Sequence, residues 1–299
     1  MTDQAPTVSL ATLNTLAAAD LVQRIGNVYE HAPWVAANAA DVRPFATVDA
    51  LFETLKSAVR EASPAERMAL LRGHPDLAGK AARAGALTAE SSGEQTSAGL
   101  DQLGEAEFAA FHRLNDAYRA KFAFPFIICV RRHTKESILT SFEDRLGHTQ
   151  EAEQAMALAE IDRIAALRLD ALVTGEGRLK IAGRLSTHVL DTHGGIPAAG
   201  IAVALRELAA SGASRLVASA VTNADGRTDA PLIANRPVPI GRYELTFSVG
   251  DYFARRGVGL ADPPFFGIVP IRFAVAEAEG HYHVPLLVTP WSYATYRGS

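Results

Sequence analysis

The feature that most constrains the fold is a change of residue pattern near residue 175. Up to about residue 172, apolar residues recur at spacings of three and four, as in amphipathic helices. Gly175-Glu176-Gly177-Arg178 interrupts this pattern, and turn residues then divide the chain into short alternating segments. A chain of 299 residues also exceeds what one core usually supports. We therefore predict an all-α, bundle-like domain over 1–174, a linker over 175–182 and an all-β sandwich over 183–299.

Two helices of the first half can be placed from their ends. Ser63-Pro64-Ala65-Glu66 has the pattern of a capping box, which predicts a helix over 64–72 that stops at Gly73. The amphipathic run that closes this half at Leu172 predicts a long helix beginning near Thr149. We expect roughly six to eight helices and no sheet in this half.

The second half has the alternation of half-buried strands. Between residues 243 and 249, Tyr, Leu, Phe and Val alternate with polar residues, so one face of that strand should be buried. Other segments with a strand-like pattern are 184–191, 201–208, 215–222, 269–276 and 281–288. Short strands at this spacing, separated by turn signals, favour a β-sandwich.

Composition excludes several classes of function. With 48% hydrophobic and 21% charged residues and a net charge of −4, the chain has the profile of a globular protein without a nucleic-acid partner. The sequence shows neither a signal-peptide pattern nor an apolar run of about 18 residues, so we expect a cytoplasmic protein without a membrane partner. Cys129 is the single cysteine, which rules out an internal disulfide.

Three segments of the helical half carry side chains of chemical interest. His74-Pro75-Asp76-Leu77 follows a predicted helix end, Ser91-Ser92-Gly93-Glu94-Gln95 lies in a polar stretch, and Phe126–Val130 is an uninterrupted apolar run. Taken singly, each has an ordinary structural explanation: a histidine that caps a helix, a helix start and a piece of core.

Taken together and with Arg168, these segments resemble the 2-oxo-4-hydroxy-4-carboxy-5-ureidoimidazoline (OHCU) decarboxylases. The resemblance rests on His74-Pro75-Asp76-Leu77-Ala78-Gly79, Ser91-x-x-Glu94-Gln95, the Phe126–Val130 run and Arg168. It implies an all-helical domain without a cofactor, in which His74 is the catalytic acid and base and Glu94 lies beside it. It also implies a substrate pocket formed by Pro75, Ser91, Gln95, Phe126, Ile127, Ile128, Cys129, Val130 and Arg168.

The chemistry of such a reaction sets expectations for these side chains. Loss of CO2 beside a C=N group leaves electrons that the ring can delocalise, so a placed proton is needed rather than a metal or a cofactor. We expect Glu94 to raise the imidazolium fraction of His74. We expect Gln95 to hydrogen-bond the ureido and imide groups and Arg168 to clamp a carboxylate or carbonyl.

In the β half, His188 and His283 lie within predicted strands, and Arg227 follows the turn Asn223-Ala224-Asp225-Gly226. Their spacing alone is also explained by structural histidines whose hydrogen bonds are satisfied within the sheet. With the segment His281–Leu287, however, the terminal Tyr296-Arg297-Gly298-Ser299 resembles 5-hydroxyisourate hydrolases of the transthyretin-like family.

This second resemblance implies a metal-free active site at the dimer–dimer interface of a homotetramer. Its residues would be His188, Arg227, His283, Tyr296 and Ser299. We expect one imidazole, that of His188, to act on water as the base, His283 to orient or protonate, and Arg227 to offset the charge that develops on oxygen. Zinc held by histidines of this half is the competing alternative, although the spacing is not that of a zincin motif.

The two resemblances name consecutive reactions, because the product of the hydrolase is the substrate of the decarboxylase. We therefore predict a bifunctional enzyme of urate breakdown that converts 5-hydroxyisourate through OHCU to (S)-allantoin and CO2, with small purine-derived molecules as its substrates. Two alternatives stay open. The β half could be a ligand carrier fused to a helical interaction domain, or only one of the two domains could be active.

Overall fold

The computed structural model describes residues 6–78 and 87–298. The chain divides into two compact units, the first formed by Met1–Arg131 and Ile138–Lys180 and the second by Arg132–Ser137 and Ile181–Ser299. Within the described residues, every helix is too short or too polar to cross a membrane.

The first 172 residues are predominantly helical. Their helices are α1 (Leu10–Thr15), α2 (Ala18–Ile25), α3 (Pro33–Ala40), α4 (Val48–Glu61), α5 (Pro64–Arg72), α6 (Ala89–Ser97), α7 (Glu105–Phe122), α8 (Lys135–Arg145) and α9 (Gln150–Leu172). Short 3-10 turns lie at Gly26–Val28 and Val130–Arg132. The expected number of six to eight helices was too low, since nine lie in the described part of the chain. The short α1 and α2 have too few residues to show a clear period.

Two helix ends were predicted correctly. Helix α5 begins at the capping box, in which Ser63 Oγ accepts from the Glu66 amide and the Glu66 carboxylate accepts from the Ser63 amide, and it ends at Gly73. Helix α9 begins after Thr149, whose hydroxyl accepts from the Ala152 amide. Local capping chemistry was therefore enough to place these two ends.

The expectation that this half contains no sheet was wrong. Strand β1 (Val8–Ser9) pairs in parallel with β2 (Val173–Thr174) directly after α9. The carbonyls of Glu176 and Gly177 then accept from the first amides of α4, Val48 and Asp49. A helix start has amides without intrahelical partners, and these carbonyls satisfy two of them. Residues 173–177 consequently pack on the helical unit.

An aromatic core fixes the segment that follows α7. Phe126 stacks on Phe142 with ring centroids 3.8 Å apart, and the Arg145 guanidinium lies 4.4 Å from the centre of the Phe126 ring. Arg145 also donates from Nη1 to the Ile127 carbonyl at 2.8 Å and pairs with the fully buried Glu153. The extended backbone near residue 127 belongs to no sheet of the described part of the chain, and side chains hold it in place instead.

The second unit is mainly β-structure. Its elements are β3 (Gly183–Ser186), β4 (Val189–Asp191), β5 (Ile196–Pro197), β6 (Ala202–Leu208), β7 (Ser214–Val221), β8 (Ile233–Arg236), β9 (Gly241–Ser248), α10 (Val249–Arg255), β10 (Ile268–Val275), β11 (His281–His283), β12 (Leu286–Val288) and β13 (Tyr293–Thr295). The sheet orders are β10-β9-β6-β7, β11-β3-β8 and β13-β12-β4-β5. Buried side chains from all three sheets, among them Leu185, Leu205, Leu245 and Leu286, form one apolar cluster.

Three features of this unit differ from the prediction. Val249 begins helix α10 instead of ending a strand, so the unit is not all-β. Strands β5, β8 and β13 were missed because two to four residues carry little periodicity. The predicted strands 184–191 and 281–288 are each broken into two, at Thr187-His188 and at Val284-Pro285. Since Pro285 has no amide to donate, it interrupts the hydrogen-bond ladder between segment 281–288 and the parallel segment 184–191.

Candidate active sites

The imidazole of His74 lies just beyond the end of α5 and is buried. Its Nδ1 is 2.9 Å from the Leu70 carbonyl oxygen. A carbonyl can only accept, so Nδ1 carries the proton and the Nε2 of the neutral ring is an acceptor. Burial lowers the pKa of His74 to about 4. Desolvation outweighs the neighbouring charges, and the carboxylate that acts to raise this pKa is that of Glu30.

A cavity in the helical unit brings together nearly all the residues predicted for this site. Its lining consists of His74, Pro75, Leu77, Ser91, Glu94, Gln95, Phe126, Ile127, Ile128, Val130, Ile164 and Arg168. Cys129 is the predicted pocket residue that does not line it. Cys129 is buried, and its amide donates to Glu160 Oε2 at 2.8 Å, which ties the backbone of the pocket wall to α9. Leu77 and Ile164 were not predicted.

The Arg168 guanidinium is saturated by protein groups. On one edge, Nε donates to Glu94 Oε1 at 2.7 Å and Nη2 donates to Glu94 Oε2 at 2.9 Å, with Ser91 Oγ 3.4 Å from Nη2. On the other edge, Nη1 is 2.6 Å from Glu30 Oε2 and 3.3 Å from the Asn27 carbonyl. A guanidinium has five N–H donors, and these contacts use all five. A substrate that is to bind Arg168 must therefore replace a protein partner.

Glu30 is the functional candidate that the sequence did not reveal. Its carboxylate is buried and accepts from Thr88 Oγ at 2.8 Å and from Ser91 Oγ at 3.0 Å, besides the pairing with Arg168. Burial acts to raise the pKa of Glu30, but Arg168 and the hydroxyl hydrogen bonds bring it below its ordinary value. In the sequence, Glu30 is isolated and far from the other motifs, so nothing there indicates that it contacts Arg168.

Gln95 has a different set of partners from those expected. Its Oε1 accepts from the Ala78 amide at 2.9 Å and its Nε2 donates to the Asp76 carbonyl at 3.3 Å. Asn115 donates to the intervening Leu77 carbonyl at 2.8 Å. Ala78 has a left-handed backbone with φ of 51°. The two amide side chains thus hold the turn that follows His74, although Gln95 also lines the cavity. Gly79 lies outside the described residues.

In the β unit, the break between β3 and β4 brings His188 to Arg227, with which it forms an isolated antiparallel bridge. Strand β11 runs parallel to β3 and places His283 opposite Ser186, whose Oγ is 3.0 Å from His283 Nδ1. Burial lowers the pKa of His188 and of His283, and the charge of Arg227 lowers both further. The structure therefore gathers the three predicted side chains, with Ser186 as an unpredicted partner.

The C-terminal tail returns to the same place. The Gly298 amide donates to the His283 carbonyl at 2.8 Å, and Arg297 lies over the Tyr282 ring, 5.2 Å from its centre. A Cβ on Gly298 would lie 2.7 Å from His283 Cδ2, so only glycine fits without displacing the ring. The Tyr296 side chain is 59% exposed. Ser299, the last predicted site residue, lies outside the described residues.

Metal ligands do not cluster in the described part of the chain. Within residues 6–78 and 87–298, no group of three or more His, Cys, Asp or Glu side chains is arranged to hold a metal ion. The side chains gathered at the two sites carry imidazole, guanidinium, carboxylate and hydroxyl groups, which suit proton transfer and charge stabilisation.

Comparison with known families agrees with this division. Residues 14–170 match the family described as OHCU decarboxylase, and residues 185–298 match the HIUase/transthyretin family. The chain therefore belongs to the OHCU decarboxylase family and, through its β unit, to the HIUase/transthyretin family.

Individual relatives resemble either one unit or the whole chain. A 5-hydroxyisourate hydrolase of Deinococcus radiodurans is 58% identical over 116 residues, which cover 38% of this chain and 95% of the relative. An OHCU decarboxylase of Halalkalicoccus jeotgali is 42% identical over 151 residues, covering 50% of this chain and 84% of the relative. A crystal structure of (S)-allantoin synthase is 34% identical, with a TM-score of 0.53, and covers 98% of this chain and 100% of that one.

Proposed function

We propose that this chain is a bifunctional enzyme of urate breakdown. Its β unit hydrolyses 5-hydroxyisourate to OHCU, and its helical unit decarboxylates OHCU to (S)-allantoin and CO2. The observation that carries this proposal is the similarity to (S)-allantoin synthase over 98% of the chain, which includes both imidazole sites.

For the decarboxylation, the neutral His74 is the proton carrier. As the bond to CO2 breaks, its electron pair passes into the adjacent C=N group, and a solvent proton neutralises the ring nitrogen. Nε2 accepts the proton of the substrate hydroxyl, and the resulting imidazolium returns it to the carbon that bears the ureido group. Burial disfavours the imidazolium, which promotes this return. Because the proton arrives from one face, the product has one configuration.

The remaining residues of the cavity would orient the substrate. The apolar wall of Phe126, Ile127, Ile128 and Val130 excludes water from the reacting carbon. Arg168 would bind a carbonyl or carboxylate oxygen after exchange with Glu94, and Ser91 and Pro75 complete the pocket. Gln95 acts chiefly by holding the turn that carries His74.

For the hydrolysis, His188 is the base that activates water. Its Nε2 is buried and has no hydrogen-bond partner among the described residues, and its lowered pKa keeps the ring neutral at pH 7. The oxygen of the attacked carbonyl gains negative charge, which Arg227 offsets. The His188 imidazolium then returns its proton to the leaving nitrogen, while His283, held by Ser186, orients the reacting groups. The C–N bond breaks as the carbon gains the hydroxyl of water.

We further propose that the hydrolase site is completed in a homotetramer. Arg227 and Tyr296 are exposed in the single chain, and so are Leu216, Val221 and Ile268 of the same unit, at 51%, 58% and 62%. Large exposed apolar side chains are typical of surfaces that bind another protein. A second copy that covers these exposed groups would enclose substrate between Tyr296 and the imidazoles.

Two single variants test the assignment of the steps. In stopped-flow absorbance with freshly generated 5-hydroxyisourate, we expect His74→Ala to keep the first decay phase and lose acceleration of the second. We expect His283→Ala to lose the first phase while still acting on OHCU supplied by an independent hydrolase. Loss of the accelerated first phase in His74→Ala, or loss of activity on supplied OHCU in His283→Ala, would contradict separate sites. A ligand carrier, the alternative function of the β unit, would not accelerate the first phase over buffer, even in the unmodified chain.

A further inference from the structure

Glu30 and Glu94 bind opposite edges of the same guanidinium, but they differ in burial. The Glu30 side chain is 2% exposed, whereas that of Glu94 is 15% exposed. Glu94 lines the cavity, and Glu30 lies behind Arg168. A molecule in the cavity therefore meets Glu94 and the edge of Arg168 that Glu94 holds.

The contacts of Glu30 leave it little freedom to turn. Oε1 accepts from Thr88 Oγ at 2.8 Å and from Ser91 Oγ at 3.0 Å, and Oε2 is 2.6 Å from Arg168 Nη1. Thr88 is also the N-cap residue of α6, and Ser91 lies in its first turn. Glu30 thus links the start of α6 to the guanidinium carried by α9.

We propose that Glu30 is a positioning residue for decarboxylation, which anchors Arg168 and Ser91 so that the Glu94 edge of the guanidinium can be given to the substrate. This inference rests on the proposed function of the helical unit. With Nη1 fixed by Glu30 and by the Asn27 carbonyl, Nε and Nη2 can exchange Glu94 for a substrate oxygen without movement of the guanidinium plane. A guanidinium can donate two parallel hydrogen bonds to a substrate group only when its plane is held in the right orientation.

The chemical consequence of removing this anchor can be derived from the same contacts. In Glu30→Gln, the amide either turns its NH2 toward Nη1, where donor would face donor, or loses hydrogen bonds from Thr88 and Ser91. Arg168 would then have Glu94 as its single anionic partner, and substrate would compete less well for it. We expect KM for OHCU to rise and kcat to fall, with a loss in kcat/KM of about tenfold or more.

Glu30→Asp distinguishes the effect of the negative charge at residue 30 from the effect of side-chain length. It keeps the negative charge but withdraws the carboxylate from Arg168, so kcat/KM should fall while the pH profile stays in place. In Glu30→Gln the charge itself is lost. Since the charge of Glu30 raises the pKa of His74, the acidic limb of kcat/KM should move to lower pH in this variant alone.

Asp162→Asn is the matched control. Asp162 accepts from the hydroxyl of Tyr29, the neighbour of Glu30, at 2.9 Å and has no role in the cavity. The full-length chain provides a second control, because hydrolysis of 5-hydroxyisourate in the β unit should stay at the wild-type rate in every variant.

The experiment measures decarboxylation of enzymatically generated OHCU by the wild-type chain and the three variants. The proposal predicts that kcat/KM falls at least tenfold in both Glu30 variants and stays within twofold of wild type in Asp162→Asn. It also predicts that the acidic limb of kcat/KM moves in Glu30→Gln only. It is overturned if Glu30→Gln stays within twofold, or if Asp162→Asn loses as much as the Glu30 variants, which would indicate a general packing defect. Absence of decarboxylation in the wild-type chain would instead remove the proposed function.

Discussion

Replacing Gly298 by alanine tests whether the C-terminal tail sets the position of His283. The added Cβ would lie 2.7 Å from His283 Cδ2 and 3.2 Å from both Cβ and Cγ of the same side chain. A carbon–carbon contact of ordinary length is about 3.5–4.0 Å, so the ring or the tail must move by several tenths of an ångström. The backbone hydrogen bond from Gly298 to the His283 carbonyl opposes movement of the tail, which directs the displacement to the imidazole.

The expected effect is confined to hydrolysis. Because a misplacement of about 1 Å can cost a hundredfold in rate, we expect kcat/KM for 5-hydroxyisourate to fall about tenfold or more in Gly298→Ala. Stopped-flow absorbance measures this loss, and decarboxylation of OHCU by the same chain should be unchanged. Gly259→Ala is the control, since a Cβ there meets nothing within 4 Å. Hydrolysis within twofold of wild type in Gly298→Ala would refute the argument that the tail positions His283.

Three further predictions follow from charges and burial. Because the folded-state pKa of His74 is about 4 against an ordinary 6.5, the unfolded chain binds the proton first as pH falls, and His74 should cost about 3 kcal/mol of stability between pH 6.5 and pH 4. Urea unfolding of His74→Asn should show a correspondingly weaker loss over this range, and an identical pH dependence would contradict the buried neutral imidazole. Glu153→Ala leaves Arg145 buried without its partner and should destabilise the helical unit by about 3–5 kcal/mol in the same assay, with less than about 1 kcal/mol arguing against the pair. Arg227→Gln should lower kcat of hydrolysis by about a hundredfold and move the acidic limb to higher pH, because the charge of Arg227 lowers the pKa of the base His188; a limb that stays in place would contradict this coupling.

Much of the fold could be predicted from local residue patterns. The end of helical periodicity near residue 172, the capping box at Ser63 and the alternation before Val249 act over a few residues, and each corresponds to an element in the structure. Shorter elements could not be predicted, because two or three residues of strand have no measurable period. The pairing of β1 with β2 joins residues at opposite ends of the helical unit, which local pattern does not connect.

The candidate sites show the same limit. Motifs located His74 and the cavity-lining residues, but they did not show which partner each side chain would have. Glu30 and Arg168 are distant in sequence and meet only through the packing of the helical unit. Likewise, the amide of Gln95 could serve substrate or backbone equally well from the sequence, and only the folded chain shows that it hydrogen-bonds the left-handed turn at Ala78. Burial of His74, which sets the sign of its pKa shift, is also a property of the folded chain.

The most direct test of the two-step function is the optical purity of allantoin formed from 5-hydroxyisourate by the complete chain. Circular dichroism of the reaction mixture would follow the product from a single substrate addition, without any other enzyme. If both units act in sequence, allantoin of the S configuration should accumulate faster than in buffer and in large excess over its mirror image. Racemic allantoin at the rate seen in buffer would contradict the assignment.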